Sequence, residues 1–297
     1  MKIAITGGAG FVGTKLAEHF AAQGHDVLVL DRHTPRVSLP RCMFIKTDLV
    51  KDLPGEDYLS CDAVVHLAGV NIFGRWSPQY KKLIVSSRIE TAKALIDAAA
   101  AAGRGPRAFI CASAIGYYGD GGGRELTESS GNGSDFLATV CKAWEDVAAS
   151  AETAGMRVVS IRTGIVLGPG GGMLAKLIPV FRWGLGGPMG SGRQWFSWIS
   201  LKDLVEVYSA AVHDAALSGP VNAVAPEPVR NKELARALGR ALHRPALVPV
   251  PGFILKMVLG ELGGVVLMSQ RVIPQKLLER GFPYAHRDID SALAESV

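Results

Sequence analysis

Short apolar runs alternate with longer helical patterns through the first half of the chain. The apolar runs have the length of strands and lie at residues 2–5, 27–30, 63–67, 108–112 and 158–161. Apolar residues at helical spacing lie between them, at about residues 12–23, 79–102 and 136–154. Repeated β-α-β units predict a parallel sheet with helices on both faces. Right-handed crossovers make this sheet doubly wound, so we expect a ligand at the carboxyl ends of its strands.

The pattern changes after about residue 165. Residues 168–192 are rich in glycine, which is typical both of phosphate-binding loops and of mobile loops. Beyond them the sequence predicts four elements, namely a helix at 202–216, a strand at 220–225, a helix at 231–243 with Asn231 as its cap, and an extended stretch at 245–251. Further helical pieces follow in the tail.

The composition of the 297 residues is that of a protein with a large core. Hydrophobic residues make up 48% and charged residues 20%, which argues against disorder. The net charge of +5 hints at anionic ligands, although ordinary variation in surface charge gives the same value. The basic residues are scattered, so we expect no nucleic-acid partner.

Cysteines and apolar segments exclude further classes of protein. The most membrane-like segment runs from Phe253 to Met268, is short for a span and contains Lys256 and Glu261, so we expect a buried helix and no membrane partner. The first strand lacks the apolar core of a signal peptide. Four cysteines stand far apart without metal-ligand spacing, which fits a reducing cytoplasm and predicts no metal site: Cys42, Cys61, Cys111 and Cys141.

The turn between the first strand and the first helix carries the most specific motif, a glycine-rich segment at residues 6–13. Gly7 allows a tight turn, Gly10 lets the backbone approach a pyrophosphate, and Gly13 lets the helix pack close to the strand. The helix N-terminus, at Phe11 and Val12, supplies free N–H groups and a positive dipole end for phosphates. Its place between a strand and a helix predicts a dinucleotide site.

Two adjacent residues at the end of the second strand make opposite predictions about the dinucleotide. Asp31 is a carboxylate of the kind that binds the adenosine ribose hydroxyls of NAD, whereas Arg32 is of the kind that binds the 2′-phosphate of NADP. Arg32 is alternatively a solvated side chain or one stacked on the adenine. Asp48 is placed to reach the adenine amino group, or else it caps a helix.

These observations predict an α/β protein with a Rossmann-type doubly wound parallel sheet. We expect the NAD(P)-binding domain to comprise residues 1–167 together with return elements at about 202–225. Residues 168–201 and 226–297 then form a smaller C-terminal substrate lobe.

Several motifs resemble those of the extended short-chain dehydrogenase/reductases, at residues 6–13, 66–69, 118–119 and 162–169. Other segments are similar to the YfcH-like subfamily, whose members are commonly called nucleoside-diphosphate-sugar epimerases, at residues 74–76, 87–90, 113–120, 144–145 and 190–199. The tail, from about residue 244 to residue 293, resembles that subfamily's C-terminal domain of unassigned role. The resemblance covers essentially the whole chain.

The resemblance implies further cofactor contacts. Residues beyond the fourth strand lie against the cofactor, and residues after the 158–161 strand wrap its nicotinamide end: Leu67, Ala68, Gly69, Arg162, Gly164 and Ile165. In the subfamily the position of Arg32 is typically basic and associated with NADP, while the position of Asp31 usually holds a small hydroxyl residue. NADP(H) is therefore slightly favoured over NAD(H), and Asp31 is a departure because its charge would repel a 2′-phosphate.

The resemblance also implies a catalytic serine or threonine, a tyrosine and a lysine, and this set is incomplete here. The tyrosine and lysine should lie four residues apart on the helix at about 136–145. A frame that uses Lys142 puts Ala138 at the tyrosine position. A frame shifted by one residue uses Leu137 and Cys141, so neither frame contains a tyrosine.

Four residues are candidates for the missing chemistry. The family's serine position falls on Ala114, so Ser113, one residue away, is a candidate substrate contact. Tyr117 or Tyr118 could supply the proton, although Tyr118 alternatively packs as a structural residue. Lys142 is either a ribose contact or a solvated helix charge.

Candidate substrate residues lie in two blocks, and they are Arg75, Trp76, Arg193, Gln194 and Trp195. The basic residues could bind a phosphate or carboxylate, or they are simply solvated. A tryptophan could stack on a base, or it packs in the core. Trp195 and Trp198 are three residues apart, so at most one of them faces a pocket from a strand.

The sequence thus predicts an NAD(P)-dependent epimerase/dehydratase- or reductase-like enzyme with an atypical active site. We expect its substrate to be a small molecule, a sugar nucleotide or another polar carbonyl or alcohol. The alternative is a non-enzymatic NADP(H)-binding redox sensor or partner-binding protein. We expect a cytoplasmic location, and a homodimer is compatible with the sequence.

Overall fold

Seven parallel strands form the central sheet of the computed structural model, which describes residues 1–35, 38–52 and 55–297. In spatial order the strands are β11, β7, β5, β4, β1, β2 and β3, with the bounds β1 Lys2–Thr6, β2 Asp26–Asp31, β3 Cys42–Lys46, β4 Ala63–His66, β5 Ala108–Ala114, β7 Arg157–Thr163 and β11 Gly219–Ala223. The order reverses at β1, which confirms the doubly wound prediction.

Helices cover both faces of this sheet. The helices within the described residues are α1 Phe11–Ala22, α2 Glu56–Leu59, α3 Pro78–Ala102, α4 Phe136–Ala149, α5 Leu174–Arg182, α6 Leu201–His213, α7 Asn231–Ala241, α8 Gly252–Leu259, α9 Glu261–Val266, α10 Gln275–Glu279 and α11 Ile289–Ser296. Apolar residues of α1 and α6, such as Phe20 and Tyr208, pack on one face. Apolar residues of α3 and α4, such as Leu95 and Trp144, pack on the other.

Short strands form two-stranded pairs beside the central sheet. They are β6 Glu125–Leu126, β8 Ile165–Leu167, β9 Trp195–Phe196, β10 Trp198–Ser200, β12 Val229–Arg230 and β13 Arg271–Val272. Near β8 and β10, a smaller core buries Leu174, Phe181, Trp198 and Leu293 together. β13 pairs with β6, so the C-terminal part of the chain is joined to the segment that follows β5.

The helix that starts at Asn231 is capped differently from the prediction. Arg230 is the N-cap residue, and its N–H donates to Glu233 at 2.6 Å. Asn231 is buried, and its Oδ1 accepts from the N–H of Met189 at 2.7 Å. The cap prediction was wrong because a tertiary contact with the glycine-rich segment uses the side chain.

The prediction of one buried helix at 253–268 is also wrong. Gly260, with φ of +60°, divides this stretch into α8 and α9. No residue of α8 is buried, and Phe253 and Met257 are 71% and 74% exposed. Within the described ranges, no helix is long and apolar enough to cross a bilayer.

Candidate functional site

The glycine-rich turn lies at the carboxyl end of β1, where the strand order reverses. Gly7 has φ of +70°, a conformation that favours glycine. A Cβ at Gly13 would lie 2.4 Å from the Gly7 carbonyl oxygen, so only glycine allows α1 to start this close to the strand. These contacts support the predicted roles of Gly7 and Gly13.

The N-terminus of α1 is open to a ligand. Gly10 is the N-cap residue, and no side chain caps the helix. The N–H groups of Phe11 and Val12 therefore lack intrahelical partners, as the first amides of any helix do. A backbone cradle of this kind fits the pyrophosphate of a dinucleotide. The ring of Phe11 packs against the backbone of Gly171, which explains part of the glycine-rich stretch at 168–192.

A buried hydrogen-bond chain joins this turn to the end of β4. Thr6 Oγ1 lies 2.8 Å from His66 Nδ1 and accepts from the N–H of Ala68 at 3.2 Å. Burial lowers the pKa of His66 to about 4, so the imidazole is neutral at physiological pH. These hydrogen bonds hold Leu67, Ala68 and the exposed Gly69 beside the glycine-rich turn, next to the expected position of a pyrophosphate.

Asp31 links the glycine-rich turn to the segment that follows β2. Oδ2 accepts from the N–H of Ala9 at 3.0 Å, and Oδ1 accepts from the N–H of His33 at 2.9 Å. Arg32 is exposed at the same edge of the sheet. Asp48, after β3, accepts from the N–H of Val50 at 3.3 Å and so caps a turn. Asp48 therefore stabilises a turn, and no described helix begins beside it. The hydrogen bonds of Asp31 give it a structural task.

The predicted substrate contact Ser113 lies in a buried network instead of facing a cleft. Its hydroxyl donates to Glu145 Oε1 at 2.6 Å, and the residue is 4% exposed. Arg162 donates to both oxygens of the same carboxylate, from Nε to Oε1 at 2.9 Å and from Nη2 to Oε2 at 2.8 Å. The Ser113 hydroxyl is therefore used within the protein, because α4 packs over the face of β5 to which this side chain points.

The predicted cofactor contact Arg162 belongs to the same buried network. Its Nη1 donates to the Tyr118 hydroxyl at 3.0 Å and to the Glu128 carbonyl at 3.3 Å. With its remaining contacts to Glu145, the guanidinium is held by partners within the protein. Gly164 and Ile165 follow it, and their N–H groups donate to the carbonyls of Ala223 and Ser197.

The two candidate tyrosines occupy different environments. Tyr118 is buried, and its hydroxyl donates to Asn222 Oδ1 at 2.6 Å, while burial raises its pKa to about 12. Tyr118 is therefore a structural residue. Tyr117 is half-buried, with the guanidinium carbon of Arg162 3.5 Å from its ring centroid. Of the two, only Tyr117 has its hydroxyl outside the buried network.

Burial along α4 distinguishes the two possible frames for the tyrosine and lysine positions of the family. Lys142 pairs with Asp146, one turn on, and both side chains are exposed. Leu137 and Cys141 are buried and would contact a Cβ placed at Gly116, in the turn after β5. The frame that faces the site is therefore the one with Leu137 and Cys141. The geometry favours the solvated alternative for Lys142.

The loop after β4 carries Arg75 and Trp76. The indole N–H of Trp76 donates to the Ile72 carbonyl at 2.8 Å, and its ring meets Phe136 edge-on. Trp76 thus fastens its own loop to the start of α4. Arg75 is exposed.

The second substrate block is divided between core and surface. Trp198 is fully buried, whereas Trp195 is half-buried. The two tryptophans lie on different short strands, β10 and β9, so alternation within one strand does not set their burial. The guanidinium carbons of Arg230 and Arg271 lie 3.7 and 4.9 Å from the centroid of Trp195. The sequence did not single out these two arginines, because their proximity to Trp195 arises only from folding.

Gln194 and Arg193 do not converge on this tryptophan. Gln194 is buried, and its amide donates to the Met189 carbonyl at 3.0 Å, within the glycine-rich segment. Arg193 is exposed. Gln270 links Trp195 to the Tyr117 turn, because it donates its N–H to the Trp195 carbonyl and its amide to the carbonyls of Ile115 and Gly119.

Both parts of the chain are similar to known protein families. The family model described as the NAD dependent epimerase/dehydratase family matches residues 3–223, which include the glycine-rich turn and all seven strands of the central sheet. The chain belongs to this epimerase/dehydratase family. A second model, a domain of unknown function (DUF1731), matches residues 250–296. The resemblance found in the sequence is confirmed for both parts.

Relatives in the epimerase/dehydratase family cover the whole chain. The SDR39U1 homolog of Arabidopsis thaliana, described as chloroplastic, is 39% identical over 99% of this chain and 86% of its own. The human epimerase family protein SDR39U1 is 36% identical over 100% of both chains.

Solved structures of other proteins share the fold. The crystal structure of human SDR39U1 (isoform 2) with NADPH has a TM-score of 0.87 at 34% identity, covering 99% of this chain and 98% of that one. MoeE5 in complex with UDP-glucuronic acid and NAD has a TM-score of 0.83 at 19% identity, covering 100% of this chain and 97% of that one. The second likeness concerns the fold alone.

Proposed function

We propose that the chain is an NADP(H)-dependent enzyme that acts on a sugar nucleotide or another polar carbonyl or alcohol. The single observation that supports this most is the uncapped N-terminus of α1 beside Gly7 and Gly13, which is shaped for a pyrophosphate. The structure of a relative with NADPH points to the same cofactor. A bound nicotinamide supplies hydride transfer, and the protein supplies position and protons.

The preference for NADP(H) rests on Asp31 and Arg32. Both carboxylate oxygens of Asp31 accept hydrogen bonds from backbone N–H groups, those of Ala9 and His33, which partly neutralise its charge. Arg32 is exposed at the carboxyl edge of β2, where the 2′-phosphate lies in folds of this type. A charge-assisted contact to that phosphate then distinguishes NADPH from NADH.

Arg32→Ala tests the cofactor assignment. We expect NADPH affinity to fall about tenfold or more, because a charged hydrogen bond contributes about 1.5–3 kcal/mol, while NADH affinity stays within about twofold. Fluorescence titration of both nucleotides measures this. Arg104→Ala, which removes an exposed cation at the amino edge of the sheet, should leave both affinities unchanged. Equal losses for NADPH and NADH would reject the phosphate contact.

We propose Tyr117 as the proton donor of such an enzyme. Its hydroxyl stands outside the Arg162–Glu145 network, and its ring is held by the Arg162 guanidinium. A phenol at this turn could reach a substrate oxygen that approaches from the carboxyl ends of β4 and β5. A Tyr117→Phe variant that keeps the full turnover of the wild type with any accepted substrate excludes this role.

One observation favours a second function, an NADP(H)-binding sensor. The inner face of α4 presents Leu137 and Cys141 where the family resemblance expects tyrosine and lysine, and burial raises the pKa of the Cys141 thiol to about 11. Neither group exchanges protons near neutral pH. Capture of the same partners at equal strength with NADP⁺ and NADPH would argue against sensing.

A further inference from the structure

Arg88 of α3 lies directly beneath the end of β4. A Cβ placed at Gly69 would come within 3.0 Å of the guanidinium carbon of Arg88, so the group is covered there by bare backbone. Its other side faces the ring of Trp144, whose centroid is 5.2 Å from the same carbon. Gly69 itself is exposed, and it follows Ala68 in the segment beside the glycine-rich turn. Arg88 therefore reaches the edge of the sheet at which a ligand would bind.

The charge of Arg88 has no counter-ion among the described residues. Nη1 donates to the Ile84 carbonyl and Nη2 to the Val70 carbonyl, both at 3.0 Å, which uses two of five N–H donors. Burial lowers the pKa of this guanidinium. By contrast, the buried Arg162 has the carboxylate of Glu145. Burying a cation without a paired anion is costly, so such a group is a strong site for an incoming anion.

The Arg88 guanidinium lies close to Cys141, the residue at the position of the expected lysine. Cys141 stands in the frame of α4 that faces the site, and its thiol carries no positive charge. The charge of Arg88 is near enough to Cys141 to favour the thiolate, although burial outweighs that effect on the thiol pKa. A cation is thus present at this part of the site, supplied by α3 instead of α4.

We propose that Arg88 is an anion-binding residue of this site, which holds a phosphate or carboxylate oxygen of the bound ligand at the end of β4. The inference deepens the proposed function and names the chemistry of one ligand group. The anion comes either from the cofactor pyrophosphate or from the substrate. The planar guanidinium fork suits both.

Arg88→Gln, Arg88→Lys and a matched control test the proposal. Lys93→Gln is the control, because it removes an exposed cation from the same helix, where Lys93 pairs with Asp97. NADPH affinity is measured by fluorescence titration. The thermal stabilisation by inorganic pyrophosphate is measured with and without saturating NADPH.

If the anion belongs to the cofactor, Arg88→Gln should weaken NADPH at least about tenfold. If it belongs to the substrate, NADPH affinity stays within about twofold, and the stabilisation by pyrophosphate is lost. In either case Arg88→Lys should recover part of the loss, and Lys93→Gln should match the wild type.

Three results would overturn the inference. Arg88→Gln could bind NADPH and pyrophosphate like the wild type, even with a lowered melting temperature, which would make Arg88 purely structural. Lys93→Gln could lose as much as Arg88→Gln, which would indicate general charge attraction. A wild type that binds neither NADPH nor pyrophosphate would reject both the Arg88 inference and the proposed function. By contrast, a wild type that is stabilised by pyrophosphate but does not bind NADPH would reject the proposed function alone.

Discussion

Single residues in this protein divide into those that a ligand could use and those that the fold already uses. Ser113, Tyr118 and Arg162 resemble site residues in the sequence, yet their polar atoms end on Glu145, Asn222 and Glu128. Glu145 is the residue whose importance the sequence understated. The available signal was its position on α4, one turn after Cys141 and on the same inner face.

Glu145→Ala should destabilise the protein strongly. Removal of the carboxylate leaves the buried guanidinium of Arg162 without its counter-charge and leaves Ser113 without an acceptor. Loss of one partner of a buried ion pair costs about 3–5 kcal/mol in the free energy of unfolding, measured by urea denaturation. Asp146→Ala on the same helix removes only an exposed partner of Lys142 and should cost under about 1 kcal/mol. Similar losses in both variants would show that the Glu145 network contributes little.

Whole elements in the first half of the chain follow local pattern closely. The predicted helix at 79–102 is observed as α3 Pro78–Ala102, with Ser77 as its cap. The predicted helix at 136–154 ends at Ala149 and continues as a 3-10 turn, Ser150–Ala154. Helices end where caps and tertiary contacts allow, so their bounds were less predictable than their existence.

Gly13→Ala tests the approach of α1 to β1. The added methyl would lie 2.4 Å from the Gly7 carbonyl oxygen, so the helix must move. The N–H groups of Phe11 and Val12 then no longer point at the pyrophosphate. We expect NADPH affinity to fall more than about tenfold, with a stability cost of about 1–3 kcal/mol, measured by fluorescence titration and denaturation. Gly264→Ala in α9 places its methyl in open space and should change neither quantity adversely. Unchanged NADPH binding in Gly13→Ala would contradict the proposed cradle.

At the scale of the whole molecule, the tail is fastened to the start of α6. Asp203 is 1% exposed, and its carboxylate accepts from the N–H groups of Ala285 and His286 at 2.7 and 3.1 Å. The Ser200 hydroxyl donates to the same carboxylate at 2.7 Å. The structural role of Asp203 thus extends beyond its own helix to the C-terminal segment that includes α11.

Asp203→Ala should loosen the C-terminal segment. Two buried N–H groups would lose their acceptor, at about 1–3 kcal/mol each, so residues after 281 should exchange amide hydrogen faster and be cleaved earlier by protease. Mass spectrometry of both reactions checks this. Asp214→Ala, after the end of the same helix, breaks a half-exposed pair with Arg280 and an exposed hydrogen bond from the N–H of Ala216, and it should have little effect. Faster exchange spread evenly over the chain would instead indicate global destabilisation.

The sequence by itself determined the β-α-β order, the parallel sheet and the glycine-rich turn, because strand and helix periods and the sterics of glycine act over a few residues. It also indicated that the usual tyrosine is absent. Tertiary structure decided which polar groups are free, since the partners lie far apart in sequence. Ser113 meets Glu145 across 32 positions and Tyr118 meets Asn222 across 104. Only packing of α3 beneath β4 set Arg88 next to Gly69, where local pattern carries no information.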